Sequence, residues 1–182
     1  MKKRMLAMAF VAAASMAFSS CGGDTASEQP AETAEATDAA EEETEDYYFK
    51  DNVLVAEDVK IEITDYKVIP AGEPGNEYSD KPVIAFWYNT TNISGEDVDP
   101  STAWIVMFTA IQDNNPNAIN ELEMGMLPDE QFLDTQSEII KQGGTVANAV
   151  AYELDDDTTP VTLKATKGIM GEDLGEQDFE IK

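Results

Sequence analysis

Hydrophobic and polar positions alternate with a period near two over most of the chain beyond Tyr47. That is the repeat of strands with one buried and one wet face, not the 3.6 of an amphipathic helix. In VKIEITDYKV (59–68), Val59, Ile61 and Ile63 share one face and Lys60, Glu62 and Thr64 the other. A bulge near Asp65 and Tyr66 is predicted to switch the phase there. PVIAFWYNTTN (82–92, through Tyr88) and TAWIVMFTAIQ (102–112) are apolar on both faces and are predicted as strands. SEIIKQGGTVANAVAYEL (137–154) reads as two strands about a turn at Gly143 and Gly144, PVTLKAT (160–166) as another, and DFEIK (178–182) as the last. AGEPGNEYSDK (71–81), DNNPN (113–117) and DDDTTP (155–160) carry the Gly, Pro, Asn and Asp of turns. Only PDEQFLDTQ (128–136) has a helical pattern, with Asp129 as its cap. Seven or eight strands so punctuated predict an all-β domain over 47–182, a β-sandwich with one short helix; a small barrel is the structural alternative.

The pattern is different before Tyr47. Lys2, Lys3 and Arg4 precede an apolar run, LAMAFVAAASMAF (6–18), and small residues lead to Cys21. This is the layout of a secretory signal, so 1–20 is expected to be a signal peptide outside the fold. The run is shorter than the roughly 20 residues a spanning helix needs. Residues 22–46 contain ten acids, no base, no aromatic and no Leu, Ile, Val or Met. Such a segment cannot bury enough apolar surface to offset ordering entropy, and like charges extend it. Residues 21–46 are therefore expected to form a disordered acidic linker behind Cys21.

Composition sharpens the exclusions. The 182 residues carry 37 acids against 11 bases, no histidine and one cysteine, for a net charge of −26. A basic nucleic-acid-binding face is not available, nor is an intrachain disulfide, a zinc site of His and Cys, or a His general base. The 47–182 segment holds 27 acids and eight bases, a net −19, which predicts repulsion from anionic lipid and anionic polymers and favours cationic partners.

Candidate chemistry is sparse. Asp113-Asn114-Asn115-Pro116-Asn117 begins like a calcium loop, but Ala118 and Met124 stand where an EF-hand needs Gly and Glu. Asp155, Asp156 and Asp157 are three adjacent carboxylates in a predicted hairpin; a weak calcium site would relieve their repulsion, and a solvated turn is the plainer reading. Beyond such calcium no cofactor is expected. Phe86, Trp87, Tyr88, Trp104 and Phe108 are read first as core and second as a binding face, and Met124 and Met126 as gap fillers before pocket lining. Gly143-Gly144 lacks the residues of a phosphate loop and is a turn. Paired carboxylates for glycoside hydrolysis carry little signal among so many acids.

Phe18-Ser19-Ser20-Cys21 resembles the lipobox of bacterial lipoproteins, with Phe18 where that family usually has an aliphatic residue. The resemblance implies that the Cys21 thiol carries a diacylglyceryl group and that cleavage leaves Cys21 as the N-terminus. With this lipobox and acidic linker, VIAFWYNTTNISGEDV (83–98), IIKQGGTVANAVAYEL (139–154) and PVTLKAT are similar to the immunoglobulin-like domains of Gram-positive surface lipoproteins of unknown function. That likeness implies an immunoglobulin-like β-sandwich, gives Trp87 the core role of a tryptophan, and transfers no active-site residue. The leading functional reading is a non-enzymatic, lipid-anchored, extracytoplasmic interaction module on the bacterial surface, meeting a protein or cell-envelope partner. The alternatives are a small-ligand or calcium-binding envelope lipoprotein and, behind it, a carboxylate-dependent envelope hydrolase.

Overall fold

The structure, a computed structural model, describes residues 47–182. The expected signal peptide (1–20), Cys21 and the expected linker (21–46) lie outside the described residues. Among the described residues nine elements follow in order: β1 (Tyr48–Lys50), β2 (Val53–Val55), β3 (Val59–Ile69), β4 (Val83–Asn92), α1 (Pro100–Met107), β5 (Phe108–Ile111), β6 (Thr145–Glu153), β7 (Val161–Thr166) and β8 (Asp173–Phe179), with a 3-10 turn at Glu130–Phe132. The strands form a five-stranded sheet, β1-β2-β3-β4-β6, and a three-stranded sheet, β5-β7-β8, with every paired neighbour antiparallel. The molecule is thus an all-β sandwich with one short helix, the class that the alternation predicts.

The period-two pattern fixes which side chains meet between the sheets. Ile61 and Ile63 of β3, Ile84, Phe86 and Tyr88 of β4, and Val150 and Tyr152 of β6 face Phe108, Leu163, Ala165 and Phe179 of the smaller sheet in one buried cluster. The bulge in β3 falls between Ile63 and Asp65, where the phase changes. The outer face of β4 has a smaller cluster: Val83 and Ala85 pack with Ile69 and Ala151, and Trp87 lies partly buried against them.

Several expectations need correction. Residues 102–112 are a helix followed by a four-residue strand. Asp99 decides this: its side chain accepts from the Thr102 N–H at 2.9 Å, and Pro100 stands in the first turn, where its missing N–H costs nothing. The helix buries Trp104 completely, so Trp104 and not Trp87 is the tryptophan of the sandwich core. Asp129 does cap its segment, but only the 3-10 turn follows. The first half of 137–154 is not a strand; Ile140 alone forms a bridge, to Val98. The last strand is Asp173–Phe179 rather than 178–182. β1 and β2 form an unexpected hairpin whose turn residues, Asp51 and Asn52, have φ of 52° and 66°, a conformation these two side chains tolerate.

Neither side of the sandwich is left open. On one side, residues 120–125 pair with both sheet edges: the Leu122 N–H donates to the Ala110 carbonyl at 2.9 Å, and the Gly125 N–H to the Ala151 carbonyl at 2.8 Å. On the other, β8 lies against β1, where Gln177 and Asn52 exchange side-chain and backbone hydrogen bonds. Gly175 permits this approach: its φ is +122°, and a Cβ there would stand 2.6 Å from the Phe49 carbonyl oxygen. Gly175→Ala is expected to lower stability by ~2 kcal/mol or more, through clash and strain together; urea unfolding reads this, and a loss within ~0.5 kcal/mol would mean the two strands do not meet as described.

Candidate functional site

The loop between β3 and β4 leaves the sheet at the end opposite Tyr47, and residues 126–133 run beside it. Between them lies a groove of about 380 Å³ walled by Tyr78, Met126, Leu127, Pro128 and Leu133, with Glu77, Asp129 and Glu130 among its polar groups. Tyr78 is 83 % exposed, Met126 64 % and Leu133 56 %, so a substantial apolar surface faces solvent here. Met126 and Leu127 also wall a second hollow of about 170 Å³, which continues past Met124 and Ile105. The two methionines therefore line a surface rather than fill the core.

Buried groups hold the groove in shape. The Asn76 side chain is buried and donates to the carbonyls of Ile69, at 3.2 Å, and Lys81, at 2.8 Å, closing the 70–81 loop. The Trp87 indole N–H donates to the Asp129 carboxylate at 3.1 Å, tying the 126–133 segment to the sheet. Burial would raise the Asp129 pKa. The hydrogen bonds from Trp87 and from the side chain and backbone of Gln131 outweigh that, and the carboxyl lies below its ordinary value. Asp129 is thus an anion at neutral pH, oriented from behind by an indole.

The acid-rich turn between β6 and β7 is built differently from a cation cradle. Asp156 accepts from the Thr158 and Thr159 N–H groups, both at 2.7 Å, from both threonine hydroxyls, and from the Asn114 amide at 2.9 Å. Asp155 accepts from Lys81 Nζ at 3.0 Å and from the Asn120 amide at 2.9 Å. Asn114 thereby brings the 113–117 loop and the 155–157 turn together. Both oxygens of Asp155 and of Asp156 accept from these donors, and among the described residues no group of three His, Cys, Asp or Glu side chains is placed to hold a metal ion. Behind the turn sits Gln112, wholly buried and unnoticed in the sequence. Its Oε1 accepts from the Asp155 and Asp156 N–H groups at 2.7 and 3.3 Å, and its Nε2 donates to the Asp156 and Thr159 carbonyls at 3.2 and 2.9 Å.

These bonds set a pH dependence. The Thr159 N–H and the Asn114 amide hold Asp156 far below its ordinary value of 3.8, and the Asn120 amide and Lys81 lower Asp155. A carboxyl depressed in the folded state contributes stability that is complete above its unfolded pKa, near 4, and is lost as pH falls through the folded value. The melting temperature should therefore fall between pH 4 and 2, and Asp156→Asn should flatten that slope while lowering the plateau above pH 5. A parallel displacement of the whole curve would show that Asp156 is not the group responsible.

Three comparisons bear on this geometry. A family described as Domain of unknown function (DUF5067) matches residues 34–167. The solved structure of a "putative lipoprotein" from Staphylococcus aureus superimposes with a TM-score of 0.62 at 22 % identity, covering 75 % of this chain and 92 % of that one. At that identity the likeness concerns the fold. No curated protein matches the chain.

Proposed function

Since the chain belongs to the DUF5067 family, a group defined by a shared domain rather than an activity, we propose that it is a lipid-anchored, extracytoplasmic binding module and not an enzyme. Its immunoglobulin-like sandwich hangs from an acylated Cys21 on the acidic 22–46 linker. It presents the groove beside Asp129 to a cationic, apolar segment of a protein or envelope peptide. The single observation that carries this reading is the groove itself: exposed Tyr78, Met126 and Leu133 beside an indole-held carboxylate, on a domain of net −19. Its volume falls within the range of about 300–1,000 Å³ of small-ligand sites. A stretch of two or three side chains fills such a space, and acidic groups beside it select positive charge. The fold-level likeness to a putative lipoprotein supports the anchor. Against a hydrolase, among the described residues every carboxyl with a displaced pKa, namely Asp129, Asp155, Asp156 and Asp173, is displaced downward, the direction of a fixed anion rather than a general acid.

Three measurements test the proposal. Cys21→Ser should move the protein from the membrane to the soluble fraction, and mass spectrometry should find acyl chains on the wild-type residue. A fluorescent peptide alternating Lys and Phe should bind the mature protein at micromolar Kd, about tenfold more weakly when salt rises from 50 to 500 mM. Leu133→Asp, at an exposed position, should reduce that binding at least fivefold. Equal binding of an uncharged peptide of the same apolar content, or no effect of Leu133→Asp, would overturn the groove as the site.

A further inference from the structure

β7 and β8 are joined by residues 167–172, whose tip holds Ile169 and Met170 at 75 % and 95 % exposure. The loop is closely tied. The Lys167 N–H donates to the Glu172 carbonyl at 2.8 Å and the Thr166 hydroxyl to the Gly168 carbonyl at 2.8 Å. A Cβ at Gly171 would fall 1.7 Å from the Lys167 carbonyl oxygen, so only glycine fits. Met170 has a φ of 61°, a left-handed conformation disfavoured for residues with a Cβ. Two large apolar side chains are therefore fixed outward in water by a turn that strains to hold them there.

The position of the tip gives it a neighbour. Tyr47 opens the described chain, and Lys167 Nζ stands 4.6 Å from its ring centroid while also pairing with Glu57 at 3.2 Å. The chain thus joins the domain at the base of this loop. The loop after β4 leaves the same end of the sheet and carries Ile93, 44 % exposed. Twenty-five residues separate Cys21 from Tyr47, a reach of up to ~80 Å at ~3.3 Å per residue. Any bilayer that holds Cys21 is then within reach of the tip.

We propose that the 167–172 loop is a second membrane contact, with Ile169 and Met170 entering the interface of the bilayer that holds Cys21. This rests on the anchored reading above. Two side chains offer too little apolar area to bind a membrane alone, but tethering makes their insertion intramolecular and raises the effective lipid concentration. The net charge of −19 assigns the contact to neutral lipid rather than anionic headgroups. Insertion orients the domain. The groove lies beyond the far end of β3, an eleven-residue strand of roughly 35 Å at ~3.3 Å per residue, and is directed away from the bilayer.

The test separates the tip from natural acylation. Mature protein is coupled through Cys21, its only cysteine, to a maleimide lipid in phosphatidylcholine vesicles, and Ile169→Trp is compared with Tyr78→Trp, wild-type fluorescence being subtracted from each. Brominated acyl chains are expected to quench the tryptophan at 169 at least twofold more than that at 78. In vesicles rich in phosphatidylglycerol the difference should shrink at low salt. Equal quenching at the two positions overturns the proposal, as does a tryptophan at 169 shielded from aqueous iodide yet untouched by bromine, which would mark a second copy of the chain as the cover. Mass spectrometry of natural Cys21 judges the anchored reading by itself, whatever the tip does.

Discussion

Trp104→Ala is expected to lower the unfolding free energy of the domain by about 4 kcal/mol, the range for deleting a large aromatic from a closed core. Trp104 has no exposed surface. Its ring lies 4.4 Å from Tyr88, 4.6 Å from Phe108 and 5.7 Å from Phe86, centroid to centroid, and its indole N–H donates to the Tyr152 hydroxyl at 2.8 Å. Burial holds the Tyr152 hydroxyl protonated, pushed up to about 12, so truncation also leaves that oxygen without its donor. Since domains are stable by only ~5–15 kcal/mol, the alanine variant can unfold outright. Trp104→Phe keeps most of the ring volume and should lose roughly half as much. Trp87→Ala, half-buried on the outer face, should cost less than either. Urea titration followed by circular dichroism ranks the three, and a smaller loss at Trp104 than at Trp87 would contradict the packing described.

Gln112→Leu is expected to remove about 3 kcal/mol, although the side chain is similar in size and touches no surface. The Asp155 and Asp156 N–H groups and the Asp156 and Thr159 carbonyls lose their partner together. Each partly buried backbone group left unpaired costs on the order of 1 kcal/mol. The effect should also be local. Amide exchange at Thr158 and Thr159 should accelerate well beyond what the global loss explains, because Asp156 can cap their N–H groups only while its own backbone is pinned. Unchanged protection there would mean that Asp156 holds the turn without help.

The sandwich was legible because burial of one face marks β3 and β7 with alternation and burial of both marks β4 and the end of β6 with an apolar run, and even the bulge at Ile63 and Asp65 showed as a phase change. The same mark misled at 102–112. An apolar run records burial, not backbone shape, and the decisive information was three residues upstream, in Asp99 and Pro100. The β1–β2 hairpin was missed because strands of three residues are too short to show a period, though Asp51-Asn52 is a readable turn. Among candidate sites, Met124 and Met126 were visible as a motif, whereas Tyr78 and Leu133 meet across 55 positions of sequence that no local pattern connects. Gln112 lacked any signal: a glutamine at the end of an apolar run reads as solvent-facing until the chain folds over it.

The closure of both flanks by residues 120–125 and by β8 against β1 matters most when many copies share a plane. Lipid anchoring would crowd these molecules into two dimensions at local concentrations far above those of free solution. Exposed ladders under such crowding template intermolecular stacking and, in time, fibrils. With one flank paired by residues 120–125, the other covered where β8 packs on β1, and a net negative charge on each copy, a lawn of such domains would stay a set of individuals, each with its groove open.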